Sequence, residues 1–300
     1  MKAILSRLSV LVAIAVVVGV INISCSQTET VAPAAKADVK ADVKAVQTKA
    51  VEPKKEEPKK ADSKDAAPAA AAAAGPAEYQ AYAKKSSVPT LFVPKIDKLP
   101  DIDGVMDEVY KKATPIAFKF LAGGDAKPAA KTTAYVVSTA TELVLFFKCE
   151  TPDLSALVAE VRDHDGQVFQ DDSLELFIDP ANKREMDSYM HIMVNSLGTT
   201  AESKGPSGAE DFSWDPKMKV KAKVDRAAKA WFIEMVIPFK DLVANPDKMS
   251  KVWAVNFNRM AYLVEGNEDT AWSPTGGSSS HVPTKFGALW LEVGAVDNSK

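Results

Sequence analysis

From about residue 130 onward, apolar positions fall in short runs rather than at helical spacing. Thr132–Ser138 (TTAYVVS) is β-branched and aromatic, and Glu142–Cys149 (ELVLFFKC) is an apolar run of strand length. Ser173–Asp179, Tyr189–Asn195, Trp231–Ile237, Val252–Asn258 and Ala288–Val293 read the same way. Met218–Val224 (MKVKAKV) alternates apolar residues with Lys, which predicts a strand with one buried and one wet face. Breakers separate these runs, among them Pro152, Asp165-Gly166, Pro180, Gly205-Pro206, Pro238 and Gly276-Gly277. Helical pieces are short and fall at Asp107–Ala113, Leu154–Val161 and Phe239–Val243. Many short strands at this spacing predict an all-β fold, an antiparallel β-sandwich.

The chain ahead of these strands has another character. Lys2 and Arg7 precede an apolar run from Leu8 to Ile21, which reads as a secretory signal. Its end, Ile21-Asn22-Ile23-Ser24-Cys25, resembles a bacterial lipobox, with Cys25 as the lipidated residue and residues 1–24 removed. Plain secretion and an uncleaved anchor are the two other readings, and the run is short for a membrane span. Residues 25–88 form an Ala/Lys/Pro/Glu-rich tether whose only aromatics are Tyr79 and Tyr82. Such a segment has too little large apolar surface to offset its ordering entropy, so disorder is expected. As a coil it would span about 45 Å. The folded domain is then expected at 89–300, monomeric, at the cell envelope and on the outer membrane.

Charge sharpens this division. The chain of 300 residues has a formal net charge of −3. The first 88 residues are net positive, so the folded part is distinctly acidic, which argues against nucleic-acid binding. Two cysteines exclude a disulfide-dense scaffold or a Cys-only zinc site, and three histidines argue against a multi-histidine metal site. Cys149 lies in an apolar strand and reads as a buried, inert thiol.

The order of several motifs carries a resemblance. They are IDGVMDEVYKKA at 102–113, ELVLFFKCETPD at 142–153, DDSLELFIDP at 171–180 and YMHIMVNSLGT at 189–199. WFIEMVIPFKDL at 231–242, VWAVNFNRM at 252–260, AWSP at 271–274 and KFGALWLE at 285–292 follow. In this order they resemble carbohydrate-binding module family 9 and its family 9-like relatives, a DOMON-type sandwich of jelly-roll kind. The resemblance implies a non-catalytic protein that binds a polysaccharide or oligosaccharide.

A sugar site needs an aromatic face for the apolar side of a pyranose and planar polar groups for its hydroxyls. Trp231, Trp253 and Trp290 lie in apolar runs and read as core, whereas Trp214 and Trp272 sit in loop-like surroundings. In sugar-binding members of the family two aromatics sandwich a terminal sugar. Carried over by motif, Phe169 and Trp272 would be that pair, with polar contacts from Glu175 and Asn195. Where sugar binders can present Arg two residues before that Asn, this chain has Met193, and His191 or Arg259 could serve as substitute donors.

Asp101, Asp103 and Asp107 form one acidic cluster, and Asp163, Asp165, Asp171 and Asp172 a second. Carboxylates at alternating spacing suit calcium, and the resemblance implies structural calcium in some members. Turn chemistry and helix capping explain the same residues without a metal. No cofactor is required. The chain contains no G-x-S-x-G, H-E-x-x-H or phosphate-loop motif. Two other functions stay open at this point. One is a haem b electron-transfer domain using His191, Met193 and Met260, because DOMON-type relatives ligate haem through such side chains. The other is a structural or protein-interaction domain of the envelope.

Overall fold

The structure is a computed structural model and describes residues 75–205 and 208–292. The expected signal segment, Cys25 and the tether as far as residue 74 lie outside the described residues. In chain order the elements are α1 (Ala77–Lys85), β1 (Thr90–Val93), β2 (Ile116–Ala117), β3 (Lys119–Phe120), β4 (Thr132–Ser138) and β5 (Glu142–Glu150). Then come β6 (Ser173–Asp179), β7 (Met190–Asn195), β8 (Thr200–Lys204), β9 (Lys219–Asp225) and β10 (Ala230–Pro238). The last are α2 (Phe239–Leu242), β11 (Val252–Leu263), β12 (Gly266–Ala271) and β13 (Gly287–Leu291).

The strands form two sheets. The smaller runs β2-β4-β5-β10-β9, and the larger runs β1-β13-β11-β6-β7-β8, with β12 and β3 continuing from β11. Among the described residues every strand pair is antiparallel except β1 with β13, which run parallel. Between the sheets lies one core, to which alternate residues of each strand contribute. Leu174, Leu176 and Ile178 of β6 meet Leu145 and Phe147 of β5 and Trp231, Ile233 and Met235 of β10. The expected all-β sandwich is therefore the observed fold. A parallel pair becomes possible because β1 and β13 lie far apart in the chain and need no hairpin between them.

The large residues of the apolar runs are deeply buried, including Trp231, Trp253, Phe147 and Phe257. Trp290 is half-buried at the β13 edge, where the rings of Tyr79 and Tyr82 pack on it at centroid distances of 6.2 and 5.4 Å. Helix α1 is thus ordered against the sheet, and ordered chain begins ahead of residue 89. Strand β9 sits at the edge of its sheet, so its alternating residues Val220 and Ala222 are only partly buried. The stretch 154–161 makes a single tight turn at Leu154–Ala156 instead of a helix. Its next amides are drawn elsewhere: Val158 N–H donates to Asp172, and those of Glu160 and Val161 to Asp171.

Polar side chains join the layers. Arg259 points from β11 into the sandwich and is fully buried. Its guanidinium donates to the carbonyls of Lys131 and Glu150 at 3.2 and 2.9 Å and to the hydroxyls of Thr132 and Thr151, and it stands 5.4 Å from the Trp231 ring centroid. On the outer face of the smaller sheet Glu234 accepts from the Asp103 and Gly104 amides at 2.9 Å and from the Tyr110 hydroxyl at 2.7 Å. This clamps the 102–113 motif onto β10. Gly104 has φ +77°, and a Cβ there would approach the Cβ of Lys223 to 3.0 Å.

Cys149 is buried and, among the described residues, unpaired, and burial pushes its thiol up to about 12, as expected of an inert strand cysteine. Asp172 is also fully buried. Desolvation raises its carboxyl to about 6, although the Val158 amide and Arg259 favour the charged form. A carboxyl whose folded pKa lies above its unfolded value binds more protons when folded, so its contribution to stability falls as pH rises from about 4 to 6. The shift corresponds to about 3 kcal/mol. We expect urea-unfolding free energies of wild type and Asp172→Asn to diverge across this window, wild type losing stability relative to the variant as pH rises. Parallel pH profiles would contradict the assignment.

Candidate functional site

The outer face of the larger sheet carries a second set of alternating residues. Along β6 these are Ser173, Glu175 and Phe177; along β7 they are His191, Met193 and Asn195, with Tyr189 just ahead of the strand. Two small apolar clusters cover the ends of this face. One holds Phe177, Tyr189, Ala254 and Phe286, and the other holds Val168, Met193 and Ala201. Between them Glu175 and His191 stay accessible at the bottom of a cavity of about 350 Å³. Met193, Met260 and Ser203 complete its floor; Phe169, Glu210, Phe212, Ser280 and His281 come from the surrounding loops. Phe169 and Phe212 are both 49% exposed, which is unusual for side chains of their size.

The floor is polar and tightly connected. His191 Nε2 and Glu175 Oε2 are 3.0 Å apart, and the His191 ring stacks on Phe177 at 4.3 Å with an 11° interplanar angle. Tyr189 Oη lies 2.8 Å from His281 Nδ1. Burial alone would raise the Glu175 carboxyl. The hydrogen bond and charge of His191, with His281 and Ser280, outweigh it and hold the group below the ordinary carboxylate range. For His281, burial and then the neighbouring His191 pull the pKa down, so its ring is neutral at pH 7.

The structure brings Phe169, Glu175 and His191 to one cavity and separates the other candidates from them. Trp272 is not a cavity platform. It is 8% exposed, stacks on Phe257 at 5.7 Å and lies so close to Gly287 that a Cβ there would come within 2.6 Å of the indole. Asn195 is fully buried and points under the 161–171 loop. Its Nδ2 donates to Val161 O and Asp171, and its Oδ1 accepts from the Leu197 and Thr199 amides, which leaves no group free for a sugar. Arg259 spends its guanidinium inside the sandwich. Trp214 is half-buried, donates from Nε1 to Asp241 O at 3.3 Å and lies under Lys204. Phe212, two residues before it, is the aromatic that reaches the cavity.

The acidic clusters divide likewise. Asp103 and Asp107 each accept an amide of their own turn, from Val105 and Val109. Asp101 and Asp163 are exposed. Asp165 has φ +60° and lies 3.3 Å from His164 Nδ1, whose Nε2 is 2.8 Å from Glu202. Asp171 and Asp172 bind the amides that shape the 158–161 loop, so the DDS motif positions the segment leading to Phe169. Phe212 and His281 escaped sequence reading because both sit in Ser-rich loops without strand register. The available signal was scarcity, since His281 is one of only three histidines.

A larger and more open groove of about 580 Å³ lies elsewhere, bordered by Ala181, Tyr189, Lys204, Asn245 and Lys248. It offers neither a carboxylate–imidazole pair nor exposed aromatic faces on both walls. The separation of Trp272 from the cavity has a measurable consequence. Trp272→Ala should destabilise folding by about 3–5 kcal/mol, the usual cost of removing a buried aromatic. Phe169→Ala should cost under about 1 kcal/mol, because its ring is half in solvent. Denaturant unfolding of both variants checks this, and equal losses would contradict the placement.

Comparison with known proteins agrees with the fold. The model of the family described as carbohydrate family 9 binding domain-like matches residues 102–293. No curated protein matches the chain. A protein of Bacteroides uniformis assigned to carbohydrate binding has a similar structure, with a TM-score of 0.55 and 19% identity over 69% of this chain and 100% of that one. A family 9 carbohydrate-binding module from Caldicellulosiruptor kristjanssonii, solved with cellotriose, gives a TM-score of 0.50 and 15% identity, covering 70% of this chain and 97% of the other. A module from the same organism solved with glucose gives 0.51 and 14%, covering 70% of this chain and 100% of the other. The chain belongs to the carbohydrate family 9 binding domain-like family, whose modules bind carbohydrate and are non-catalytic.

Proposed function

We propose that the domain binds the end of an oligosaccharide in the cavity on the outer face of the larger sheet. The observation that carries this reading is the pair of half-exposed rings, Phe169 and Phe212, bordering a floor that holds Glu175 and His191. Aromatic faces take the apolar side of a pyranose, and the carboxylate and imidazole accept from and donate to its hydroxyls. The cavity lies at the small end of the range for ligand sites, about 300–1,000 Å³, which suits one or two sugar units. Modules of similar structure were solved with glucose and cellotriose, so glucose-based oligosaccharides are the first probes.

Met193 takes the place where sugar binders of the family can present Arg, directly opposite Glu175 in the strand register. The polar recognition therefore rests on the Glu175–His191 side of the floor. We further propose that the domain is displayed from the cell envelope by a lipid on Cys25, through the polar segment that follows it. The support is the Lys2/Arg7 start, the apolar run and the Ser24-Cys25 pair. Labelled palmitate should enter wild type and not Cys25→Ala; equal labelling would remove the anchor.

Affinity electrophoresis of the full chain through gels containing soluble β-glucans and other polysaccharides tests the binding reading. Affinity read from the retardation should fall at least tenfold in Phe169→Ala and Phe212→Ala, which corresponds to about 1.4 kcal/mol or more, while Trp214→Ala retains it. Absence of retardation across the panel would sink the carbohydrate reading. The same cavity gathers His191, Met193 and Met260, so a haem b titration belongs beside it. A Soret band lost in Met193→Ala would favour electron transfer instead.

A further inference from the structure

Glu175, His191 and His281 each turn one ligand atom toward the others, and these atoms all lie within 4.8 Å. We infer that the cavity floor is a binding site for a divalent transition metal of the zinc class, with these three side chains as ligands. Two imidazoles and one carboxylate are the donor set that suits a borderline-soft ion, and three protein ligands leave a position for water or a ligand oxygen. The cavity stands over this cluster and supplies the room.

The supporting contacts favour ligation over a chance grouping. Tyr189 Oη holds Nδ1 of His281, which leaves Nε2 as that ring's remaining nitrogen and sets its orientation. One phenyl ring fixes both imidazoles: Phe177 stacks on His191 at 4.3 Å and meets His281 edge-on at 4.9 Å. Ser280 Oγ lies 3.5 Å from Glu175 Oε2. The 3.0 Å hydrogen bond between His191 and Glu175 is the contact that a metal ion would replace. Two of the chain's three histidines thus meet at one point, against the expectation that so few would not assemble. The third, His164, forms a separate group with Asp165 and Glu202, of which His164 and Asp165 are exposed. It serves as an internal control.

The inference stands on the geometry of the floor and does not need the carbohydrate reading. The test is titration of the metal-free full chain with Co²⁺, read by its visible absorption, and with Zn²⁺ by calorimetry. Wild type should take up one equivalent with a d–d spectrum typical of nitrogen and oxygen ligands. His281→Ala and Glu175→Gln should each weaken uptake at least tenfold, with the thermal midpoint of each variant showing that it is folded. His164→Ala should leave the spectrum unchanged. No saturable uptake, or uptake lost in His164→Ala and kept in His281→Ala, would overturn the site. Gel retardation repeated in EDTA separates the two readings. Retardation without metal uptake leaves the sugar site and removes the metal site, and metal uptake without retardation does the reverse.

Discussion

The two-residue alternation of β6 and β7 is the constraint on which the rest depends. One set of side chains, Leu174, Leu176 and Ile178 with Ile192 and Val194, is sealed between the sheets. The intervening set includes Glu175, Phe177, His191 and Met193, and it forms the floor of the cavity and its flanks. A slip of one residue in register would exchange the two sets. Each buried Leu, Ile or Val contributes about 1.5–3 kcal/mol, so five such residues far outweigh the cost of holding one hydrogen-bonded carboxylate–imidazole pair largely out of water. The core thereby fixes the spacing of Glu175 and His191 through the strand register.

The loops that close the cavity are held by buried polar groups rather than by apolar packing alone. Asp171 and Asp172 take up three amides of the 158–161 stretch, and Asn195 reaches the same loop through Val161 and Asp171. Losing either carboxylate would leave these partly buried amides without their partner, at up to about 1–3 kcal/mol each. These residues look like ligands in the sequence because they are polar, clustered and next to a strand. Their work is to set the path of the chain on which Phe169 stands. Glu234 plays the same part for the Asp103–Gly104 turn on the other sheet.

The long strands were legible because their apolar runs are buried on one or both faces. Thr132–Ser138 and Ser173–Asp179 were read to the residue. Strands β2 and β3 are two residues each, and β8 and β12 read TAESK and GNEDTA, so backbone pairing makes them without an apolar signal. Half of the cavity was legible for the same reason: Glu175 and His191 lie in strands whose faces can be counted. Trp272 was misplaced because the Ser-Pro-Thr-Gly-Gly run after it suggests a loop. Its own backbone is still tied to β11, with its amide donating to Phe257 O at 2.8 Å, and the absence of a side chain at Gly287 makes room for the indole. A contact between residues 15 apart in a loop leaves no periodic trace.

The chemistry of the cavity follows from what stands opposite Glu175. With a charged planar donor at Met193, the carboxylate would have its charge balanced across the β6–β7 pair. With Met193 there, the partner is the diagonal neighbour His191, 3.0 Å from the carboxylate, and the His281 ring, which arrives on a distant loop, completes the polar surroundings. The carboxylate is held ionised although burial opposes it, chiefly by its hydrogen bond with His191. A guanidinium would make the floor a static hydrogen-bonding surface. A carboxylate with two imidazoles instead offers both accepting and donating groups, and the flanking aromatic and thioether side chains enclose them in a partly dehydrated space where each such contact counts for more.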